Sequence, residues 1–261
     1  VIVKKGTMVL YADEAIYIPS FGEVILKNNV KMIDSADSLL CNHLVLYDQE
    51  NKEFSASGNV QFYKEKSLIK GNNLNYLESI NGDTLNIDLY NNAQVIDLQR
   101  KVFGDTLQIN YLDSVIQNIN VLSNAKCINS SYARYKKDNK LQPIEDQMSS
   151  KKMYIDFDKG HLNTIYLNGM VITEFNVIED SLVTGLNTSS SDSINIELKN
   201  DTIQRMQMFG GAKGIFIPEK NNSSIDSTVI YNANHIDYQI NNQISYLYDD
   251  ARVDYNLNQL K

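Results

Sequence analysis

The chain has 261 residues, 43% of them hydrophobic, with a formal net charge of −8 and a sequence pI of about 4.9. This is enough apolar material for a sizeable core, and the basic footprint of a nucleic-acid binder is missing, which excludes DNA and RNA as expected partners. No apolar run approaches the ~20 residues of a transmembrane helix, and two cysteines, Cys41 and Cys127, are too few for a disulfide scaffold.

Both cysteines lie in apolar-patterned stretches and are expected as buried thiols. The chain opens on Val1 without a signal-peptide pattern, the start left by a removed leader or by trimming of a longer chain. Sixteen tyrosines and many Val, Ile and Thr favour strands. Asparagine, which tolerates left-handed backbone and bonds locally to the main chain, supplies much of the turn chemistry.

Read in chain order, one short unit recurs. Leu26-Lys-Asn-Asn-Val-Lys-Met32 is followed by Ala56-Ser-Gly-Asn-Val-Gln-Phe62 and Leu89-Tyr-Asn-Asn-Ala-Gln-Val95. Further copies run Val121 to Cys127, Tyr166 to Ile172, Met208 to Gly214 and Leu247 to Val253. Their central residues are Val30, Val60, Ala93, Ala125, Met170, Ala212 and Ala251, spaced 30 to 45 residues apart. The two residues before each centre are Asn, Gly, Ser or Asp without exception, types that accept a bend or bulge.

The flanks fix the strand register. At positions −6, −4, 0 and +2 around the centre, 25 of 28 residues are apolar, the exceptions being Thr164, Gly214 and Ser245. The opposite parity is apolar at only 9 of 28. Such alternation is that of a strand with one buried and one wet face. Because −4 and 0 share a face, the small pair predicts a corner inside a continuing strand, with the same face inward on both sides. The inward residues so assigned are Val24, Leu26, Val30 and Met32; Phe54, Ala56, Val60 and Phe62; Ile87, Leu89, Ala93 and Val95; and Ile119, Val121 and Ala125.

Upstream of each bend stands an anchor: Tyr17, Tyr47, Tyr76, Tyr111, Phe157, Leu198 and Tyr238. Asp-[Ser/Thr]-[Leu/Ile/Val] recurs at Asp37, Asp83, Asp105, Asp113, Asp180, Asp192 and Asp201, and reads as turn chemistry ahead of a strand. These aspartates lack the fixed spacing and Gly-rich nonapeptide of a calcium-binding β-roll. Two polar stretches, about 130–152 and 219–227, predict solvated excursions. The repeat resumes at the same parity after each, so residues 1–261 are expected to form a single continuous repeat domain.

Catalytic chemistry is not legible. His43, His161 and His235 stand apart from any paired-ligand spacing, and no nucleophile elbow, P-loop or Cys-x-x-Cys occurs. Gly210-Gly211-Ala-Lys-Gly214 falls on a repeat bend. No cofactor, metal or catalytic residue is expected, and the chain is read as not an enzyme.

The unit Tyr11-Ala-Asp-Glu-Ala-Ile-Tyr17, Gly22-Glu-Val-Ile-Leu-Lys-Asn-Asn-Val30, with its next copy ending Phe54-Ser-Ala-Ser-Gly-Asn-Val-Gln-Phe62, resembles the OstA/LptA family. The Asp-Thr-Leu variants at Asp83 and Asp105 resemble the larger OstA-like proteins of Bacteroidetes-type bacteria. The resemblance is good over residues 7–63 and degenerate onward to 253. It implies an all-β, elongated antiparallel β-jellyroll, solenoid-like, with about seven strand–bend–strand units. It further implies a periplasmic, non-catalytic lipopolysaccharide transport component, associated with outer-membrane biogenesis. Lipid A acyl chains would lie on the inward residues named above. Other Lpt-type β-jellyroll proteins, or a second copy, would pair end to end through edges near residues 7–12 and 247–256. The alternatives are a β-solenoid structural or adhesion module at the cell surface and, behind it, a carbohydrate-active β-helix enzyme.

Overall fold

A computed structural model describes the chain except residues 49–51, 136–139, 180, 200–201, 220–226, 240–243, 256–257 and 261. The described residues form strands paired antiparallel, apart from a parallel bridge between Arg134 and Leu182, with no helix among them. They fall into two compact units, the first comprising residues 1–123 with Phe157–Gly160, the second residues 124–156 and 161–261.

In the first unit β1 (Ile2–Lys5), β2 (Met8–Tyr11) and β3 (Glu14–Ile18) lead into five long strands. These are β4 (Glu23–Asp34), β5 (Asp37–Asp48), β6 (Lys52–Lys64), β7 (Ser67–Glu78) and β8 (Thr84–Ile96); β9 (Arg100–Leu112) and β10 (Val115–Ser123) follow. Each of β4 to β9 pairs antiparallel with its successor. The second unit holds β11 (Ala125–Arg134), β12 (Leu141–Ser150) and most of β13 (Lys152–Asp158). It continues with β14 (His161–Glu179), β15 (Leu182–Lys199), β16 (Thr202–Pro218), β17 (Val229–Gln239), β18 (Ile244–Tyr248), β19 (Arg252–Tyr255) and β20 (Asn258–Leu260).

Five of the bends are corners inside continuous strands, in β4, β6, β8, β14 and β16; Ser123-Asn124 stands between β10 and β11, and Asp249-Asp250 between β18 and β19. Asn28-Asn29, Gly58-Asn59, Asn91-Asn92, Gly169-Met170, Gly210-Gly211 and Asp249-Asp250 all hold positive φ at both residues, between 51° and 83°. At Ser123-Asn124 only Asn124 does. Asn, Asp and Gly pay least for that backbone, which is why the composition of these pairs is so narrow.

Across the corners of β4, β6, β8, β14 and β16 the ladder runs two residues against one, a bulge that turns both strands together. The single residue on the facing strand is Asn42, Asn72, Asp105, Asp192 or Asn234. Asp13 and Lys151 take the equivalent place beside Asn28 and Gly169, each donating its backbone N–H to the bend carbonyl at 3.0 and 2.8 Å. Each is preceded by a small residue at the inside of the corner: Ala12, Cys41, Gly71, Gly104, Ser150, Ser191 and Ala233. Space explains this. A Cβ on Gly104 would collide with Val121 and stand 3.2 Å from Leu107.

Every long strand therefore has two arms, one before the corner and one after, folded over a shared interior. In the first unit that interior is apolar throughout: its buried residues include Leu26, Leu39, Phe54, Ile69, Leu74, Ile87 and Leu107, each at most 1% exposed. At about 1.5–3 kcal/mol per fully buried large side chain, this layer is the main source of stability. In the second unit the inner lining also carries hydroxyls, with Thr173 and Ser189 both buried and their oxygens 2.6 Å apart.

Three expectations are corrected here. Apart from 136–139, which lie outside the described residues, the stretch 130–152 is not a solvated excursion: β11 and β12 pair in register from Ala125↔Ser150 to Arg134↔Leu141, and Ala133, Ile144 and Met148 are buried. Polarity on its outer face hid a strand pair. The stretch 219–227 lies almost wholly outside the described residues.

Second, Met170 is no inward residue. It is 81% exposed at the corner, and Val171, fully buried, takes the central place, with Ile165, Leu167 and Thr173 on the same face. Third, residues 7–12 are not a free edge. β2 pairs with β1 on one side and with β4 on the other, so the edge strands here are β1, paired with β2, and β3, paired with β4.

Candidate functional site

Of the fifteen inward residues expected from the sequence, fourteen are buried: Leu26, Val30, Met32, Phe54, Ala56, Val60, Phe62, Ile87, Leu89, Ala93, Val95, Ile119, Val121 and Ala125. Val24 is half-buried. Ala125 belongs to the second unit and the others to the first. None of the fourteen exceeds 7% exposure, so their side chains are closed off from water instead of lining an open channel.

The centre of this layer is aromatic. Phe54 and Phe62, on opposite arms of β6, meet edge to face with centroids 6.3 Å apart. Tyr76 of β7 stacks on Phe54 at 4.4 Å and meets Phe62 edge-on at 5.9 Å. Its hydroxyl donates to Glu78 at 2.5 Å. Burial, reinforced by Glu78, raises the phenol well above its ordinary range. Among the described residues of the first unit no charged side chain is buried.

The anchors divide by position. Tyr76, Tyr111 and Phe157 are buried at the free ends of their arms; Tyr47, Leu198 and Tyr238 are half-buried; Tyr17 is exposed on the edge strand β3. A second sequence signal, the small residue followed by Asn, Asp or Lys on the intervening strands, marks the inside of the corners, and the alternation of apolar residues does not reveal it.

Opposite the corners the ends of the arms face each other across a rim. There Lys52 of one arm donates to Asp34 of the other at 2.5 Å, with Glu78 at 3.6 Å, and Thr7 donates to Asp34 at 2.7 Å. Burial alone would raise the Asp34 carboxyl. The hydrogen bonds from Lys52 and Thr7 outweigh it and hold the group below the usual carboxylate range. Lys64 pairs with Asp37 at 3.1 Å and sits 5.7 Å over the Tyr111 ring. Arg100 sits 5.7 Å over Phe157.

The recurrent aspartates serve two purposes. Asp37, Asp83 and Asp113 stand at turns, and the backbone of Asp113 donates to the Asp83 carbonyl at 2.7 Å. Asp105 and Asp192 instead occupy corners within strands, where Asp105 accepts from Ser123 at 3.0 Å. Asp180 and Asp201 lie outside the described residues.

His43 and His161 are exposed. His235 is held between Phe209 and Tyr248, with ring centroids at 4.5 and 5.1 Å, on the outer face of β16 to β18. Nearby, Arg205 grips Asp237 with two hydrogen bonds of 2.8 Å, which pull that carboxyl below its ordinary range. Among the described residues no three of His, Cys, Asp and Glu group as metal ligands would. Cys41 is buried without a disulfide, and Cys127 is buried on β11.

No family model matches the sequence. No match is found among curated proteins. Among solved structures, similarity is found to LptH, the LptA homologous periplasmic component of the lipopolysaccharide transport device from Pseudomonas aeruginosa. The two share 15% identity over 42% of this chain and 79% of that one, with a TM-score of 0.37.

Proposed function

We propose that this protein is a periplasmic, non-catalytic component of lipopolysaccharide transport that holds lipid A acyl chains between the two arms of its jellyroll. The observation that carries the reading is the interior of the first unit. The same apolar register recurs from rung to rung, and no charged side chain is buried among its described residues. A polysaccharide-cleaving site would need carboxylates in a cleft. A lipid carrier needs the opposite, an apolar lining whose gain on taking up a chain grows with each buried methylene. The repeat itself, with Gly22-Glu-Val, Gly58-Asn-Val and the Tyr anchors, supports the same reading through its resemblance to OstA/LptA sequences.

In this reading the partners are lipopolysaccharide and other Lpt-type β-jellyroll proteins or a second copy. The edges available for strand addition include β3, with Ile16 and Tyr17 exposed, and β18, with Ile244, Tyr246 and Tyr248 exposed.

Photo-crosslinking from Val60 or Leu89 in cells tests the proposal. Lipopolysaccharide adducts from these positions are expected, and their complete absence with the protein folded and exported overturns it. One observation favours a second reading, a structural or adhesion module at the cell surface: the interior residues are sealed from water, as in a solid core.

A further inference from the structure

The sealed interior of the first unit and a lipid cargo are compatible only if the arms can part, and the covalent and hydrogen-bonded structure permits this on one side alone. At the corners each strand is continuous, so the arms are joined by the chain itself. Along each arm the strands are bound by uninterrupted antiparallel ladders from β4 to β9. Across the rim opposite the corners the paired strands supply no ladder between Asp34 and Lys52, Lys64 and Tyr111, or Arg100 and Phe157. Asp34 pairs with Asp37 and Met8 on its own arm, Lys52 with Asp48 and Glu78 on the other. Among the described residues, side chains alone close the gap.

Those side chains form a row of clasps. Lys52 bridges to Asp34, Lys64 reaches the Tyr111 ring, and Arg100 reaches the Phe157 ring, in each case from one arm to the other. Lys52 is 44% exposed at the side chain, Arg100 21% and Lys64 12%, so water reaches Lys52 while the rim is closed and reaches the other two cations as they separate from their rings. Solvated ion pairs and cation–π contacts are weak and reversible, whereas parting the arms anywhere else would break backbone ladders. The aromatic acceptors matter for a second reason. Tyr111 and Phe157 are buried at the ends of the interior layer, so releasing their cations exposes the apolar lining directly.

We propose that this rim is a lateral gate, that Lys52–Asp34, Lys64–Tyr111 and Arg100–Phe157 are its latches, and that an acyl chain enters the interior sideways through it. The proposal rests on the lipid-carrier reading above. It makes the entry route a property of the first unit alone, and it assigns the anchors Tyr111 and Phe157 a role as latch plates.

A reversible staple tests it. Asp34→Cys and Lys52→Cys, joined by a short thiol-reactive linker that reducing agent cleaves, fasten the rim. The same linker between Ser38→Cys and Tyr63→Cys, neighbours on one arm, is the control for attachment. Uptake of the fluorescent polyene fatty acid cis-parinaric acid, and of purified lipid A in competition with it, is followed by stopped flow. Uptake by the rim-stapled protein is expected to slow at least tenfold and to recover on reduction, with the control staple unchanged. Lys64→Ala, which removes a latch without a staple, is expected to speed uptake at least twofold. Undiminished uptake through a fastened rim overturns the gate while leaving the lipid-carrier reading standing. Failure of the folded, unstapled protein to take up either lipid overturns the carrier reading and the gate with it.

Discussion

The rings of Phe54 and Phe62 lie 6.3 Å apart although they stand eight positions apart on one strand. In a straight strand the same two residues would stand about 26 Å apart. The difference is the corner at Gly58-Asn59, where both residues take φ above 50°. One local backbone choice thus brings two ends of a strand into a common core, and the repeat performs it from rung to rung.

The first prediction follows from that contact. Phe54 also stacks on Tyr76 at 4.4 Å and is 1% exposed. Phe54→Ala should cost about 3–5 kcal/mol in urea unfolding. Leu40→Ala on the outer face, 37% exposed, should cost under about 1 kcal/mol. Equal effects would mean that the interior is not a packed layer.

The corner itself can be tested at Gly58. Its φ is +78°, and an added Cβ would come within 2.8 Å of Asn42. Gly58→Val should therefore destabilise by about 1–3 kcal/mol or more. Asn92→Gly, at a left-handed position of another corner (φ 60°), should leave stability within about 1 kcal/mol. Thermal unfolding of both variants distinguishes a steric corner from a tolerant loop.

Much of this was legible in the sequence because a strand with one wet face advertises its register residue by residue. The pairs Asn28-Asn29 and Asn91-Asn92 named their corners, and fourteen of the fifteen inward residues are buried. The facing corners were less visible. At Cys41-Asn42 or Gly71-Asn72 the inward residue is small because the arms converge there, so no large apolar side chain flags the position. The fifth copy slipped because Asn168-Gly169 imitates the usual pair one residue early. The signal was present: in that copy the opposite parity holds Ile165, Leu167 and Val171, three apolar residues where other copies hold at most two.

Acid unfolding should show carboxylates of both signs. Arg205 holds Asp237 below its ordinary pKa, and Lys52 and Thr7 do so for Asp34 against the effect of burial. Such groups stabilise the fold above the ordinary carboxylate range, and the contribution disappears as pH falls through their lowered folded values. Asp146 is the reverse. Burial raises it despite hydrogen bonds from the backbone and side-chain nitrogens of Asn176, so its folded-state stabilisation is present in acid and lost as pH rises through the raised value. Unfolding free energies between pH 2.5 and 6 should show Asp237→Asn and Asp34→Asn losing most at the upper end. Asp146→Asn should be most favourable relative to wild type there. A common trend for all three would refute the assignment.

Cys41 should be nearly inert in the folded protein. Burial, only partly offset by a backbone hydrogen bond from His43, pushes its thiol up to about 12. At pH 8 the thiolate fraction is then on the order of 1 in 10,000, against roughly a quarter for an ordinary thiol. In a Cys127→Ala background, a disulfide-exchange reagent should label Cys41 only at the rate of local opening, and urea should accelerate labelling at least a hundredfold. Rapid native labelling would place the residue at an open surface instead of the inside of a corner.

The register correction gives the sharpest test of the second unit. Met170 and Val171 are adjacent and both apolar, yet one is 81% exposed with φ 51° and the other is fully buried. An inward Met170 would make Met170→Ala costly and Val171→Ala mild. The corner at Gly169-Met170 demands the opposite. Met170→Asn should be neutral or stabilising, because asparagine accepts left-handed backbone more readily than methionine and no packing is lost. Val171→Ala should cost about 1–3 kcal/mol, the transfer term plus a small cavity among Ile165, Leu167 and Thr173. Chemical denaturation of the two single variants decides between the registers. A stabilised Met170→Asn beside a weakened Val171→Ala is the outcome only this corner allows, because a one-residue slip would turn every side chain of β14 to the other face.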